Sequence, residues 1–543
     1  MKLVTVSEMV AVEKEADASG LTYDIMMKNA GHNLAREVME LAYYQDDEDE
    51  VQVLGLVGPG NNGGDTLVAL AHLAEKGWSA RAYLVKRKST GDPLIKRLED
   101  AEGEIIVSEE DEGFHQLQAF LETADILLDG VLGTGFKLPL KEDVGRVLEA
   151  AQGFLAGMEW PPLVVAVDCP SGVDCDSGQA AAQTIPADAT VTMAAIKQGL
   201  LKLPAYSLAG ELRRVDIGPL DNLKSWQAIR NDVPDQAHVI SIMPERGLDA
   251  HKGTFGTVMV AAGSLNYTGA ALLAGKAAYR VGAGLVTLAV PTPLHAALAG
   301  HFPEATWVLL PHERGFIAAS AAEVLVKNLE RATALLVGPG LGMEDATRDF
   351  IEDLLKRAGM NPANRHIGFI PDEHKGESKS EKGLPPLVID ADGLKLLARL
   401  PGWPKLLPAG TILTPHPGEM SVLTGLSVDE IQNERLLIAR KYAAEWGHVV
   451  VLKGAFTVVA APDGRTFTIP VATPALARAG TGDVLSGLIT GLRAQGVDAY
   501  EAAASGAWIH AQAGLAAAEA CGAEESVLAG DVLDSIAEVL SQL

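Results

Sequence analysis

The sequence predicts a two-domain α/β protein, from its length, its glycine content and a repeated order of strand, turn and helix. The chain has 543 residues, more than a single hydrophobic core normally holds. Glycine is abundant, with 56 residues, whereas aromatic residues make up only 5%. This balance is typical of α/β proteins, in which many tight turns join strands to helices. Short apolar runs that end in glycine-rich turns recur along the whole chain and predict buried parallel strands.

Charge and cysteine content exclude several classes of protein. The formal net charge is -27, so the surface repels nucleic acid and anionic membrane, and neither is expected as a partner. Cys169, Cys175 and Cys521 form no CxxC pair and no disulfide framework, which favours a reducing compartment. No signal pattern and no bilayer-length apolar run is found. The sequence therefore predicts a cytoplasmic protein.

The first strand–turn–helix unit has a phosphate-binding layout. Residues 6–44 read as helix, residues 51–57 as a buried strand, residues 58–65 as a glycine-rich turn, and a second helix is predicted from about Thr66. This order is that of a Rossmann-like unit. The spacing differs from GxGxxG, and the Asn and Asp residues of the turn offer more oxygen ligands than a pyrophosphate needs.

Two later strands of this half end in similar loops. Residues 126–129 run into the loop 130–136, and residues 163–168 run into the loop 169–174. Ligands bind beyond the carboxyl ends of strands in an open parallel sheet. We therefore expect one shared pocket, built by these two loops and the turn at residues 61–65.

The side chains at these strand ends suggest a cation site and an acid or base. Asn62, Asp129 and Ser171 supply hard oxygens, which suit an alkali cation or Mg2+ better than zinc. Asp168 is either an acid or base or a cap of the turn that follows it. Cys169 reads as a small packing residue, because no histidine lies in the local sequence.

A second domain follows a segment of weaker pattern at residues 219–234. We expect domains at 1–222 and 223–543. Strands are predicted at residues 258–262, 335–337, 387–390, 411–413 and 449–452. The polar stretch 361–384 reads as a surface insertion, and residues 45–50 as an acidic connector.

The stretch 477–487 is the candidate anion site of the second half. Gly480 and Gly482 permit close approach of a ligand, and a helix that starts there directs free N–H groups at a phosphate. Asp483 at its mouth is either a base for a hydroxyl or an ordinary N-cap. Lys453 is the best candidate cation, and His416 a ligand contact beside Glu419. The set describes phosphoryl transfer to a hydroxyl.

Asp390 and Asp392 remain open between a cation site and a helix cap.

Taken together, the motifs resemble the bifunctional NAD(P)H-hydrate repair enzymes. In that family an epimerase domain of the YjeF N-terminal type is fused to a ribokinase-like dehydratase that depends on ADP or ATP. The resemblance spans nearly the whole chain. It is carried by residues 61–65, 133–135, 167–172, 251–253, 338–342, 390–392, 414–419 and 479–483. Departures are Thr66, where the family motif usually has glycine, and Cys169, where an aliphatic residue is more usual.

The resemblance implies roles for individual residues. The first domain, a three-layer α/β/α fold, would epimerise the R and S forms of hydrated NADH and NADPH, with Asp168 as acid or base and potassium on Asn62, Asp129 and Ser171. The second would dehydrate the S form, with Asp483 as catalytic base and ADP or ATP, with Mg2+, as co-substrate. A homo-oligomer is expected.

The resemblance also implies three sets of binding residues. For the epimerase substrate they are Asn61, Asn62, Gly63, Gly64, Asp65, Gly133, Thr134, Gly135, Phe136, Lys137, Leu138, Pro139 and Asp168. For the dehydratase substrate they are Ala270, Gly342, His416 and Asp483, and for the nucleotide they are Lys453, Gly454, Ala455, Phe456, Thr457 and Gly482.

Two other functions compete with this interpretation. One is a small-molecule kinase of ribokinase-like fold with a non-catalytic N-terminal binding domain, which the full set of first-half motifs disfavours. The other is a non-catalytic binding module, which Asp168 and the net charge of -27 disfavour.

Overall fold

The chain divides between Asn231 and Asp232 into two units in the computed structural model, which describes residues 1–42, 51–359 and 383–543. Residues 223–231 belong to unit 1, although the sequence assigns them to the second domain. Leu223 and Ile229 are buried in the core of unit 1, and the Glu15 carboxylate accepts hydrogen bonds from the backbone of Lys224 and Ser225. The predicted connector 45–50 and residues 361–382 of the predicted insertion lie outside the described residues.

Unit 1 contains short strands and helices in alternation. Its strands are β1 Leu3–Val4, β2 Gln52–Val57, β3 Ser79–Leu84, β4 Glu104–Val107, β5 Ile126–Gly130, β6 Leu163–Val167, β7 Ala189–Met193, β8 Ile196–Lys197 and β9 Glu211–Val215, and β10 Asn231–Asp232 lies at the division between the units. Its helices are α1 Val6–Ala18, α2 Tyr23–Ala42, α3 Asn61–Ala74, α4 Pro93–Asp100, α5 His115–Leu121, α6 Glu142–Ala156, α7 Tyr206–Ala209 and α8 Lys224–Ala228.

Local chemistry explains where these helices begin and end. Thr5 caps α1 through a capping box with Glu8. Gly20 has a φ of 101°, which ends the helical conformation, so the helix predicted over residues 6–44 is two helices, α1 and α2. The N-cap of α3 is Gly60. Residues 61–65, predicted as a turn, are therefore the first turn of α3.

The main sheet of unit 1 is parallel throughout, in the order β4-β3-β2-β5-β6-β7-β9. Helices cover both faces. Val53 and Val57 of β2 face one core with α1 to α4, and Leu54 and Leu56 face the other with α5 and α6. The chain leaves β2 for β3 on one side and later returns to β5 on the other. The carboxyl ends of β2 and β5 thus form a topological switch point, where ligands bind in such sheets.

Unit 2 has the same layered plan. Its strands are β11 Thr257–Ala261, β12 Leu285–Pro291, β13 Thr306–Leu310, β14 His312–Glu313, β15 Phe316–Ile317, β16 Ala334–Val337, β17 Leu387–Ile389, β18 Ile412–Leu413, β19 Val449–Leu452, β20 Val458–Ala460 and β21 Thr466–Thr468. Its helices are α9 Gln236–Ile242, α10 Ala270–Arg280, α11 Thr292–Leu298, α12 Ala321–Lys327, α13 Asp345–Gly359, α14 Asp392–Leu397, α15 Pro417–Thr424, α16 Val428–Asn433, α17 Arg435–Trp446, α18 Thr481–Ala494, α19 Ala499–Cys521 and α20 Ala529–Ser541.

The main sheet of unit 2 includes the order β21-β20-β19-β18-β17-β16-β11-β12-β13. Strands β19 to β13 pair in parallel, whereas β20 and β21 are antiparallel. Helices α10, α18, α19 and α20 pack on one face, and α12 to α15 with α17 pack on the other. The predicted fold class, two α/β domains with parallel sheets between helical layers, is confirmed. Within the described residues, no helix is both long enough and apolar enough to span a bilayer.

Contact between α10 and α18 depends on a glycine. A Cβ on Gly487 would lie 2.2 Å from the carbonyl oxygen of Ala274, so backbone would have to move. This close approach holds α18 against α10.

We expect Gly487→Ala to lower the free energy of unfolding by about 1–3 kcal/mol, because the added methyl group overpacks the interface between α10 and α18. Gly530→Ala in α20 is the matched control, because a Cβ there meets nothing within 4 Å. Urea unfolding of both variants measures the difference. Equal stabilities would contradict the close packing.

Candidate functional sites

The site of unit 1 lies at the carboxyl ends of β2, β5 and β6. The Asn62 side chain, on the first turn of α3, donates hydrogen bonds from Nδ2 to the carbonyl oxygens of Val167 at 2.6 Å and Leu132 at 3.2 Å. A Cβ on Gly133 would lie 2.3 Å from Asn62 Oδ1. The structure thus brings Asn62, Gly133 and the end of β6 together, as the sequence predicts. Residues 134–139 lie in the loop between β5 and α6.

Asp129 and Ser171 form a buried pair across two strand ends. Asp129 is fully buried, and its carboxylate accepts hydrogen bonds from the Ser171 backbone N–H at 2.7 Å and the Ser171 hydroxyl at 2.5 Å. Burial raises the pKa of Asp129, while these hydrogen bonds act in the opposite direction. Among the described residues, no basic side chain pairs with this carboxylate and none donates to Asn62 Oδ1.

Thr66, the departure from the family motif, faces the sheet and not the loop. Its side chain is fully buried, and its hydroxyl donates to the Asn62 carbonyl oxygen at 2.7 Å. A Cβ on Gly130 would lie 1.9 Å from that hydroxyl. The extra bulk of Thr66 is therefore matched by a glycine on β5.

Asp168 is held by a buried lysine that the sequence analysis missed. Its Oδ1 accepts hydrogen bonds from the Met193 backbone N–H at 2.9 Å and from the Lys197 ammonium group. The Thr192 hydroxyl lies 3.2 Å from the same oxygen and can also donate to it. The backbone of Asp168 is left-handed, with a φ of 65°. Conformations of this kind in non-glycine residues concentrate at functional sites.

Two further carboxyl groups surround this pair. Burial raises the pKa of Asp65 well above its usual range, and the Asp168 and Glu13 charges act in the same direction. Burial also raises the pKa of Glu13 on α1, against the attraction of Lys197. Asp65 is a predicted site residue, whereas Glu13 was not predicted. Lys197 and Glu13 are far from the motifs in sequence, so no local pattern indicates them.

The site of unit 2 is a cavity of about 420 Å3 at the N-terminus of α18. Its walls combine polar residues from strand ends with apolar residues before and within α18. They are His416, Pro417, Lys453, Gly454, Ala455, Thr457, Val471, Thr473, Leu476, Ala477, Arg478, Thr481, Gly482, Leu485 and His510. The cavity thus gathers His416, Lys453, Gly454, Ala455, Thr457 and Gly482 from the predicted set.

The remaining predicted residues of this half do not line the cavity. Asp483 follows Gly482 on the first turn of α18, and Phe456 is buried beside the lining residue Ala455. Ala270 begins α10, and a Cβ on Gly340 would lie 3.0 Å from its Cβ. Gly342 donates its N–H to Asp392 Oδ2 at 3.0 Å. One carboxylate oxygen of Asp392 thus accepts a backbone hydrogen bond, which favours a structural role for this residue over a cation site.

The sequence analysis missed part of the cavity wall. Arg478 and Thr481 belong to the predicted anion stretch, but no role was assigned to them. The buried His510 lies on α19, and its Nε2 has no hydrogen-bond partner among the described residues. Burial lowers its pKa to about 4, so the imidazole is neutral near pH 7. His510 is distant from the start of α18 in sequence, so no local pattern indicates that it lines the cavity.

Lys453 is a buried cation of this site. Its Nζ lies 2.7 Å from Asp390 Oδ1 and 3.6 Å from Glu419 Oε2. Burial alone would lower its pKa, but the attraction of Asp390 and Glu419 makes the net shift upward. A Cβ on Gly482 would lie 3.4 Å from Nζ, so the ammonium group reaches the N-terminus of α18. Asp390 Oδ2 is buried and has no hydrogen-bond partner among the residues that the structure describes.

Asp483 has an environment unlike that of Asp390. Burial and the negative charge of Asp390 raise the pKa of Asp483 to about 7, although Lys453 acts in the opposite direction. The backbone N–H groups of Gly482 and Asp483 meet no acceptor in the described part of the chain, and they lie where the helix dipole favours an anion. A carboxyl with a pKa near 7 is suited to proton exchange at neutral pH.

His416 combines capping with exposure to the cavity. Its Nδ1 accepts hydrogen bonds from the backbone N–H groups of Gly418 at 3.0 Å and Glu419 at 3.3 Å. Burial lowers the pKa of His416, while Glu419 attracts its charged form. The neutral imidazole therefore carries its proton on Nε2, which lies 3.3 Å from Glu419 Oε1.

We expect Lys453→Met to lower the free energy of unfolding by about 3 kcal/mol, because the buried Asp390 loses its cation. Lys405→Met, at an exposed position, serves as the control, and chemical unfolding at pH 7 measures both. Equal losses in the two variants would show that Lys453 is not the counter-ion of Asp390.

Comparison with known protein families follows the division of the chain. A family described as YjeF-related protein N-terminus matches residues 23–199. A family described as NAD(P)H-hydrate dehydratase matches residues 258–360 and 374–538. An ADP/ATP-dependent NAD(P)H-hydrate dehydratase structure from Bacillus subtilis, co-crystallized with ATP/Mg2+, is 30% identical and covers 58% of this chain and 99% of its own, with a TM-score of 0.46.

Curated relatives match over both units. The bifunctional NAD(P)H-hydrate repair enzyme Nnr of Moorella thermoacetica is 35% identical over 100% of this chain and 97% of its own length. The protein of that name from Escherichia coli is 31% identical over 97% of this chain and 92% of its own. With these identities over nearly full length, and with both family matches in the predicted order, the chain belongs to the family of bifunctional NAD(P)H-hydrate repair enzymes.

Proposed function

We propose that the chain restores hydrated NADH and NADPH, with unit 1 epimerising the R and S hydrates and unit 2 dehydrating the S hydrate at the expense of ADP or ATP. The observation that carries the proposal is the position of Asp483. A carboxyl with a pKa of about 7 stands at a helix N-terminus, beside a buried lysine and a cavity of about 420 Å3.

The nucleotide would bind in the cavity of unit 2. Lys453 and the free N–H groups of α18 supply positive charge for its phosphates, and Val471, Leu476 and Leu485 supply apolar wall for its base. The implied magnesium ion fits the buried Asp390 Oδ2, which accepts no hydrogen bond from the described residues. Asp390 would hold this ion, which would supply charge neutralisation for the transferred phosphoryl group.

Phosphorylation would turn a poor leaving group into a good one. Asp483 accepts the proton of the ring hydroxyl, and the hydroxyl oxygen attacks the terminal phosphorus of the nucleotide, whose bond to the leaving nucleotide breaks. The phosphorylated oxygen then departs as phosphate, and loss of a proton from the neighbouring carbon restores the ring double bond. The amide groups of α18 stabilise the charge of the transferred group without moving.

In unit 1, Asp168 would exchange protons with the substrate. Hydration places a hydroxyl on the ring carbon bonded to nitrogen, because that carbon is the electrophilic end of the protonated enamine. Inversion at this carbon requires a bond to oxygen or nitrogen to break and reform, which needs a base. Residues 61–65 and 133–139 would hold the dinucleotide around this base.

The potassium site implied by the resemblance fits the residues present. Asp129 is buried without a basic partner, and Asn62 Oδ1 accepts no hydrogen bond from the described residues. A buried carboxylate with an amide oxygen beside it is suited to a hard cation. Asn62, Asp129 and Ser171 would hold the ion, which would neutralise the charge of Asp129.

We also propose a cytoplasmic location. It is supported by three free thiols, two of them buried, in the described chain. Assembly into a homo-oligomer stays a prediction.

Two reciprocal variants test the division of labour. We expect Asp483→Asn to lower nucleotide-dependent recovery of reduced-nicotinamide absorbance at least about 100-fold while epimerisation continues, and Asp168→Asn to do the reverse. Chromatography of the two epimers follows the second activity. Because the ionised form of Asp483 is the base, the wild-type dehydration rate should fall as pH drops below about 7.

Two outcomes would contradict this division. Dehydration that survives Asp483→Asn would remove Asp483 as the base. A stable phosphorylated product formed while no hydrate is consumed would favour a small-molecule kinase.

We expect potassium chloride to raise the unfolding temperature of the protein by a few degrees over tetramethylammonium chloride of equal ionic strength, because the ion binds the folded state. Asp129→Asn should abolish this difference, whereas Asp143→Asn, an exposed carboxylate paired with Lys86, should retain it. Calorimetry measures all three proteins. A potassium effect of the same size in Asp129→Asn would contradict the site.

A further inference from the structure

We propose that Lys197 is a positioning residue of the epimerase site, which fixes one oxygen of Asp168 to the fold and leaves the other for the substrate. The inference rests on the proposed function of unit 1. It adds Lys197 to the residues of that site, although Lys197 lies outside all the motifs that indicate the function. Lys197 is the largest charged side chain among the fully buried residues, with 1% of its surface exposed.

The ammonium group of Lys197 has no hydrogen-bond donor left for a ligand. Nζ donates to Asp168 Oδ1, to the Thr192 hydroxyl at 3.1 Å and to the Met193 carbonyl oxygen at 3.0 Å. A lysine has three N–H donors, and each of them meets one of these acceptors. Lys197 therefore acts on the substrate through Asp168 and not directly.

The two oxygens of Asp168 have different surroundings. Oδ1 accepts from Lys197 and from the Met193 backbone N–H, whereas Oδ2 takes no hydrogen bond from any residue that the structure describes. Hydrogen bonds from a charged donor are shorter and stronger than neutral ones, so the Lys197 ammonium group fixes the position of this carboxylate. This arrangement anchors one oxygen of Asp168 and presents the other, unused oxygen as the proton acceptor.

The charges around Asp168 make the lysine necessary. Asp65 faces it from α3 and Glu13 from α1, and burial raises the pKa of both. Hydrogen bonding to Cys175 and burial raise the pKa of the adjacent Cys169, which keeps that thiol neutral. Lys197 is the positive charge that opposes these shifts at Asp65, Glu13 and Cys169. Without it, Asp168 would be a buried carboxylate beside two others, and like charges disfavour ionisation.

The position of Lys197 is set by pairing with a distant segment. Lys197 lies on β8, which pairs in parallel with β1, so that Val4 is opposite Lys197. The Ile196 N–H donates to the Lys2 carbonyl oxygen at 3.0 Å. Residues 2–4 thus hold the backbone from which the ammonium group reaches Asp168.

The test compares Lys197→Met, Lys197→Arg and the surface control Lys86→Met in the full chain. Two quantities are measured: the pH dependence of epimerisation, and the titration of the Asp168 carboxyl by infrared difference spectroscopy against Asp168→Asn. Removing the ammonium group leaves the Asp168 carboxylate beside Asp65 and Glu13 without a cation, so the acid limb of the Lys197→Met profile should move to higher pH by about one to three units. The kcat should fall with little change in KM, because the Asp168 base is no longer held in position and the dinucleotide loops are not touched.

Lys197→Arg keeps the charge and should restore most of the pH profile, while the altered donor geometry still lowers kcat. Lys86→Met should resemble the wild type, and dehydration by unit 2 should be unchanged in all three variants. If Lys197→Met does not fold, Thr192→Val is the substitute, because it removes one donor to Asp168 and one acceptor of Lys197. It should shift the profile in the same direction by a smaller amount.

An unchanged infrared titration of Asp168 in Lys197→Met, or a loss of amplitude without any shift of the acid limb, would overturn the proposal. The infrared titration does not depend on turnover. Absence of epimerisation by the wild-type protein would therefore refute the proposed activity of unit 1 and would leave the positioning role to be judged by the titration.

Discussion

A buried lysine paired with an aspartate at the end of a parallel strand is the interaction on which both sites depend. Lys453 pairs with Asp390 beyond β17, and Lys197 pairs with Asp168 beyond β6. Parallel strands present their carboxyl ends at one edge, and acidic residues gather there. An unpaired charge in such a place is costly, and a single ammonium group offsets it. Each lysine comes from a different strand than its aspartate, so each pair also joins two strand ends.

The second carboxyl at each site is left without such a partner. Asp483 and Asp65 are near the paired aspartates, and burial raises the pKa of each. Each site thereby holds together two carboxyl groups that take up protons at different pH. Proton exchange and anion binding need this contrast, since a group that is always ionised cannot donate and one that is always neutral cannot accept.

Sequence patterns could predict the layers and the loops but not the pairs between distant segments. The glycine-rich turns after β2 and β16 follow from local chemistry, and the switch points follow from strand order. The sequence predicts the start of α3 near Thr66, five residues after its observed start at Asn61, because a glycine N-cap cannot be told from a glycine-rich turn in sequence. The weak pattern over residues 219–234 hides the burial of Leu223 and Ile229 in the core of unit 1, so the predicted boundary after residue 222 falls earlier than the division after Asn231. Lys197 lies on β8, and the crossover from β6 to β7 separates it from Asp168 along the chain. The residues around Lys197 are mostly apolar and carry no motif.

The capping role of His416 has a consequence for how this site can change in evolution. Because its Nδ1 is committed to the first turn of α15, the ring cannot rotate or exchange tautomers without loosening the helix that carries Glu419. The side chain is thus a rigid donor with one fixed direction, suited to an oxygen acceptor and unsuited to a partner that itself donates. A substitution of His416 therefore changes both the ligand preference and the stability of α15.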